Sequence, residues 1–310
     1  MRTPRLIAIA TLAVFATACS QQGPGESGAP AAAAGSARTI GLAISTQNNP
    51  FFVELKDGAQ KAAADAGLQL VVVDAQDDPA RQISGVEDLI QKKVSAILLN
   101  PTDSSALTGA VQSANRAHVP VITLDRVVNG AQVASHIASD NVAGGAMAAQ
   151  FLARRLNGKG NVIELVGVPG TSAARDRGNG FNDEAEKLGL KIVAQQPANF
   201  DRAQGLSVTE NLLQAHPNAN AIFAQNDEMA LGALRALSGS KHGPVVVVSF
   251  DGTPDAIEAV KQGQLEATVA QQPAEIGRLG IETARKLLDG QGVQKSTAVP
   301  LKLVAKDSAL

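Results

Sequence analysis

The chain has 310 residues, 45% of them apolar and 18% charged, with a formal net charge of −2. Such a length and apolar content suffice for two ordinary domains with buried cores, and the near balance of charge supplies no basic face for nucleic acid. With no Trp, no Tyr and 8 Phe, any aromatic platform for a ligand must be Phe or His, and a single Cys excludes an intrachain disulfide.

At the front, Arg2 and Arg5 precede a short apolar run, Leu6 to Ala18. The run is too short to span a bilayer as a helix. A basic head, an apolar stretch and small residues at its end read as a secretory signal over residues 1–18. It ends Ala16-Thr17-Ala18-Cys19, which resembles a bacterial lipobox, where the Cys is lipidated and becomes the new N-terminus. The alternative is cleavage after Ala18 with a free thiol left behind, a liability in an exported protein. The expectation is therefore an exported, periplasmic protein that meets a membrane only through a lipid on Cys19. Residues 19–38 are rich in Ala, Gly, Pro and Ser and read as a flexible tether.

The folded body starts near Thr39. Its first unit is an apolar strand, Ile40–Ser45, a polar turn, and a helix entered at Pro50-Phe51-Phe52. Asn49 is placed to cap that helix, and Pro50 suits its first position. Further strands are expected at Gln69–Asp74, Ala96–Asn100, Val119–Leu124, around His136-Ile137, and at Val162–Gly167, Lys191–Gln195, Ala221–Ala224, Val245–Phe250 and Ala267–Gln271. Helices such as Ser104–Ala117, Glu228–Ser238 and Ala274–Leu288 alternate with them. Apolar runs separated by amphipathic helices argue βαβ units and parallel sheets covered on both faces. The second half echoes the first at an offset near 125 residues: Ala96-Ile97-Leu98-Leu99-Asn100 against Ala221-Ile222-Phe223-Ala224-Gln225, and Pro120 against Pro244. Two tandem α/β lobes leave a cleft between the ends of their strands, a preferred place for a small ligand.

Almost every strand runs out into a hydrogen-bonding side chain. The first leads to Asn49, with Phe51 and Phe52 behind it, the third to Asn100, and the fourth to Asp125-Arg126. In the second half, 162–167 leads into a loop carrying Arg175, Asp176 and Arg177, and 191–195 leads to Phe200. Asn226, Asp251 and Gln271 follow the last three. One such residue is an ordinary cap or turn former; a whole series at one pole is not explained by capping. Amides, carboxylates and guanidiniums bind in pairs of donors and acceptors, and Phe rings offer flat apolar faces. The ligand so described is small, neutral and rich in hydroxyls. Ser45-Thr46-Gln47-Asn48 after the first strand is neither a dinucleotide fingerprint nor a P-loop.

The segments STQNNPFF (45–52), NPTDS (100–104), PVITLDR (120–126), SHIASDN (135–141), GTSAARDRG (170–178), FAQNDEMALGALRAL (223–237) and FDGTPD (250–255) resemble the periplasmic ribose-binding proteins of bacterial ABC transporters, in the pentose/hexose-binding class. The resemblance covers about Thr39 to Val304. It implies two doubly wound parallel-sheet lobes joined by a three-crossing hinge near Ser139-Asp140, Gln271-Gln272 and Pro300. Residues 39–139 plus 272–300 would form one lobe, and 140–271 plus 301–310 the other. It further implies sugar contacts from Asn49, Phe51, Phe52, Asn100, Asp125, Arg126, Arg177, Phe200, Asn226, Asp251 and Gln271. The protein would act as a monomer without cofactor or metal, and would deliver D-ribose to a permease or signal to a chemoreceptor. Helix Glu228–Ser238 and the Asn129-Gly130 face are candidate docking surfaces.

Other readings fit less well. Asp125 and Asp251 could be posed as a glycosidase pair, but each has amide or Arg company suited to holding hydroxyls, and the four His are scattered without metal spacing. A regulator of the LacI type needs a helix-turn-helix ahead of the core, where this chain has a signal and a tether. Within the binding class, allose, galactose or a furanose-like signal molecule are the alternative ligands; glucose/galactose binders of this class use a Trp and a calcium loop, which the sequence lacks.

Overall fold

A computed structural model describes residues 38–306; the expectations for the signal, for Cys19 and for nearly all of the tether lie outside them. Twelve strands are present among the described residues: β1 (Thr39–Ile44), β2 (Gln69–Asp74), β3 (Ala96–Leu99), β4 (Val121–Leu124), β5 (Ser135–Ser139), β6 (Asn161–Val166), β7 (Lys191–Pro197), β8 (Ala221–Ala224), β9 (Val246–Asp251), β10 (Ala267–Ala270), β11 (Ser296–Val299) and β12 (Lys302–Ala305). The helices between them are α1 (Pro50–Asp65), α2 (Pro79–Gln91), α3 (Thr108–Arg116), α4 (Asn141–Arg155), α5 (Ser172–Lys187), α6 (Arg202–Ala215), α7 (Asp227–Gly239), α8 (Pro254–Lys261) and α9 (Pro273–Leu288).

Two six-stranded sheets result, in the orders β11-β5-β4-β3-β1-β2 and β12-β10-β9-β8-β6-β7. All pairings are parallel except β10 with β12. Central strands β3, β4 and β8 are buried along their whole length, as their unbroken apolar runs require. Edge strands β2 and β7 are only half-buried. The chain passes between the sheets three times, after β5, after β10 and after β11. Helix α9 follows the second passage and packs on α1 beneath the first sheet, while α4 follows the first passage and packs on α5. Gly277 of α9 lies close against the Leu55 carbonyl and Gly145 of α4 close against the Arg177 carbonyl. A Cβ at either glycine would drive the helices apart.

Three expectations need correction. The helix expected from Ser104 begins at Thr108 instead, because the Asp103 carboxylate accepts from the Ser105 and Ala106 N–H groups at 2.7 Å each and holds that stretch as a turn. Arg175, Asp176 and Arg177, read both as carried by a loop after 162–167 and as part of a helix over Ala173–Leu188, lie in the first turns of α5, whose N-cap is Thr171, so the helix reading stands and the loop reading does not. Strand β11 is an addition: Ser-Thr-Ala-Val is short, exposed at two positions, and gives no apolar run to read.

Candidate functional site

Asn49 caps α1, its Oδ1 accepting the Phe51 N–H at 2.9 Å. That leaves its amide N–H groups for something else. The cap turns Phe51 and Phe52 inward, edge to face with centroids 5.1 Å apart. Arg126 lies over the Phe52 ring at 5.0 Å. It follows Asp125, whose φ of 63° and the 2.6 Å bond from Arg126 N–H to the Leu124 carbonyl make a tight, strained γ-turn. Such strain persists only where the surroundings over-determine it. Here Asn100 does so: its Nδ2 donates to the Leu124 carbonyl at 3.2 Å and to Asp125 Oδ2 at 3.4 Å. Its Oδ1 accepts from the Ser45 N–H and hydroxyl at 3.2 and 2.6 Å.

Across the cleft, Arg177 reaches forward from α5. Its Nε donates to Asn141 Oδ1 at 2.8 Å, and its Nη1 to the Gln225 carbonyl at 2.6 Å and to Asp251 Oδ1 at 3.2 Å. The guanidinium stacks on Phe250 at 3.8 Å. Asn226 caps α7, accepting the Met229 N–H at 3.0 Å, and donates to the Phe200 carbonyl at 3.3 Å. Gln271 donates to Asp251 Oδ1 at 2.9 Å. Asp251 and Phe200, like Asp125, hold positive φ angles, 123° and 58°.

Nine of the eleven expected residues line one small interlobe cavity: Asn49, Phe51, Phe52, Asp125, Arg126, Arg177, Phe200, Asn226 and Asp251. Ala173 is the tenth lining residue; an alanine carries no chemical signal in a sequence. Asn100 and Gln271 stand behind the wall, holding Asp125 and Asp251. Three atoms here are buried with no hydrogen-bond partner: Asp125 Oδ1, Arg126 Nε and Gln271 Oε1. Buried polar groups are ordinarily paired, so an acceptor and a donor left without hydrogen bonds on neighbouring lining residues, Asp125 and Arg126, point to a polar ligand. The rims of the two lobes also touch, with the Ser104 N–H on the Gly170 carbonyl and the Val127 N–H on Ser172 Oγ, both at 3.0 Å.

A family model described as a periplasmic binding protein domain matches residues 40–292. The chain is 54% identical to the Ribose import binding protein RbsB of Escherichia coli (strain K12), over 86% of this chain and 90% of that one. It is 51% identical to the RbsB of Bacillus subtilis (strain 168), over 95% and 96%. The chain belongs to the periplasmic binding protein family. Among solved structures, an ABC transporter periplasmic solute binding protein from Actinobacillus succinogenes 130z with bound D-allose superposes with a TM-score of 0.83 at 36% identity, covering 88% of this chain and 99% of that one.

In this periplasmic binding protein the carboxylates differ in surroundings. Burial pushes the Asp251 carboxyl from 3.8 up to about 8, with the Arg177 guanidinium pulling the other way. Burial also raises Asp227, although the Ser249, Thr253 and Thr268 side chains and the Thr253 N–H all donate to it. Asp227 thereby ties the start of α7 to β9, β10 and the entry of α8, the ground on which Asp251 stands. A third buried acid, Glu164, accepts from Gln195 and Gln225 and is likewise raised by burial. Sequence reasoning missed these supports, and Gln82, whose Nε2 donates to the Asn100 carbonyl at 2.7 Å. The internal repeat held one clue. Gln225, aligned with Asn100, accepts the Gly167 N–H at the end of β6 at 2.9 Å, as Asn100 accepts the Ser45 N–H at the end of β1.

Proposed function

We propose that this protein is the substrate-binding component of a bacterial sugar importer, and that it holds D-ribose between its lobes for delivery to a permease. The observation that carries the reading is the pair Asp125 Oδ1 and Arg126 Nε, both buried and without a hydrogen-bond partner, on residues that line a cavity faced by Phe51, Phe52 and Phe200. Sugar hydroxyls donate to the Asp125 carboxylate and accept from the Arg126 guanidinium; the C–H faces of the ring lie on the aromatics. Residues of both lobes line the one cavity, so the ligand stabilises the closed form by touching both sets. Relatives named for ribose import at 51–54% identity support the choice of sugar. Ribose has about ten non-hydrogen atoms, the best tiny ligands reach roughly −1.5 kcal/mol per atom, and a micromolar constant needs only about −8 kcal/mol.

Calorimetric titration with ribose, allose, galactose, xylose and arabinose tests the reading. Ribose is expected to bind with a submicromolar to micromolar constant, the others at least about a hundredfold more weakly, roughly 2.7 kcal/mol. Heat with another sugar and none with ribose transfers the site to that ligand. Allose is the specific rival, because a D-allose-binding periplasmic protein of Escherichia coli is 34% identical. A furanose sugar is the next. In this reading Asp125 and Asp251 accept hydrogen bonds and do no chemistry, so a bound sugar is recovered unchanged; turnover during incubation overturns that. The protein acts as a monomer, with the exposed Asn129-Gly130 face and α7 open to a permease or a chemoreceptor. Lipidation of Cys19 would fix it to a membrane; incorporation of labelled fatty acid, lost in Cys19→Ser, is the check. Among the described residues no helix is long and apolar enough to cross a membrane.

A further inference from the structure

Gly167 follows the last residue of β6, against the ring of the cavity-lining Phe200. It is not among the glycines with positive φ, so its backbone would accept any residue. Space is what it provides. A Cβ built there would overlap Cζ, Cε1 and Cε2 of the Phe200 ring, the farthest of them at 2.5 Å, well inside the roughly 3.5–4.0 Å of carbon–carbon contact. No other atoms stand among its three nearest neighbours. Phe200 therefore rests its ring edge on bare main chain. The seat itself is fixed: the Gly167 N–H donates to Gln225 Oε1, and Gln225 Nε2 donates to the buried Glu164 at 2.8 Å. The main-chain carbonyl of the same Gln225 accepts from Arg177. From this seat the ring lies 5.6 Å from the Arg126 guanidinium of one lobe and 5.7 Å from the Arg177 guanidinium of the other. Phe200 itself sits at a φ of 58°, so its main chain has little room to follow a displaced ring.

The geometry points to Gly167 as a positioning residue for ligand binding: the side chain it lacks sets the depth of the Phe200 ring, and with it the aromatic face between the two arginines. The inference rests on the sugar-binding reading only for its affinity arm. Gly167→Ala is compatible with the backbone and Phe200 is half-buried, so the variant is expected to fold, with its ring pushed off the strand. Ribose affinity, read by calorimetry, should fall at least tenfold in Gly167→Ala. In Phe200→Leu the collision is removed, so adding Gly167→Ala to that background should change affinity by less than twofold. A loss that simply adds in the double variant, or an unchanged affinity in the single one, overturns the inference. A second readout needs no ligand. With 8 Phe and no other aromatic of the Tyr or Trp type, carbon-13-labelled Phe spectra are sparse. Gly167→Ala should move the Phe200 ring signals while those of Phe181 and Phe223, stacked together in the second lobe's core, stay in place. If the wild-type protein binds no ribose, moved Phe200 signals uphold the seat and condemn only the choice of sugar; unmoved signals condemn the seat.

Discussion

The two lobes share one plan and spend their charges differently. Strand order 5-4-3-1-2 in the first is repeated as 10-9-8-6-7 in the second. Asn100 and Gln225 lock the same neighbouring strand end in each, and Asp125 and Asp251 end equivalent strands in strained backbone. Yet Asp125 has its arginine next door in sequence, 3.6 Å away, whereas Asp251 borrows Arg177 from α5 at 3.2 Å. Arg177 in turn is bound to Asn141, at the first passage between the lobes. A duplicated scaffold thus carries one local ion pair, made by a turn, and one non-local pair tied to the hinge.

By that contrast the lobes should break differently. Arg177→Ala strips donors from Asp251, Asn141 and the Gln225 carbonyl at once, and removing one partner of a buried pair costs about 3–5 kcal/mol. Sugar affinity by calorimetry should drop on the order of a hundredfold or more, and Arg126→Ala should cost less, since among the described residues the Arg126 side chain makes one hydrogen bond, to the Pro101 carbonyl, beside its longer ion pair with Asp125. Equal losses would erase the distinction. Asn100→Ala and Gln225→Ala probe what the lobes share: each leaves buried main-chain groups unpaired, at about 2 kcal/mol of stability, and chemical denaturation should show similar penalties for the two.

The pH response of Asp251 should be legible in the second lobe. An acid whose folded pKa exceeds its unfolded value favours the folded state fully below the unfolded value, and that contribution is lost as pH rises through the folded one. For Asp251 the window runs from 3.8 to about 8. The stability of the ligand-free protein should therefore fall between pH 5 and 8, at most by about 1.4 kcal/mol per pH unit for one proton, and its melting temperature should fall with it. Asp251→Asn should flatten the fall; an unchanged slope places the titration elsewhere. Smallest of all, Asn49→Ala should cost about 1 kcal/mol of stability through its cap on α1, with a further loss in sugar affinity that a mere cap would not show.

Much of this was legible in the sequence, for physical reasons. Central strands announce themselves because burial on both faces demands unbroken apolar runs, and Asn49 and Asn226 stand where helices start. Edge strand β11 was silent because only Val299 of its four residues is buried. Within the site, position at a strand end brought Asn100 and Gln271 to the right place but could not say which way an amide faces. Both turn toward a carboxylate beside them. Supports such as Gln82, Asn141, Glu164 and Asp227 come from remote segments, and only folding shows whom they meet. Ala173 and Gly167 contribute shape alone.

The three passages between sheets also govern the order in which the molecule can be finished. Neither lobe is a contiguous stretch of chain. The first sheet waits for β11, and α1 waits for its partner α9, until the last tenth of the protein has been made; β12 completes the second sheet a few residues later. Domains that are continuous can fold one after another as they emerge during synthesis. Here both lobes reach completion almost together, at the end, so a chain truncated after β10 leaves two open edges and a bare helix face rather than one good domain.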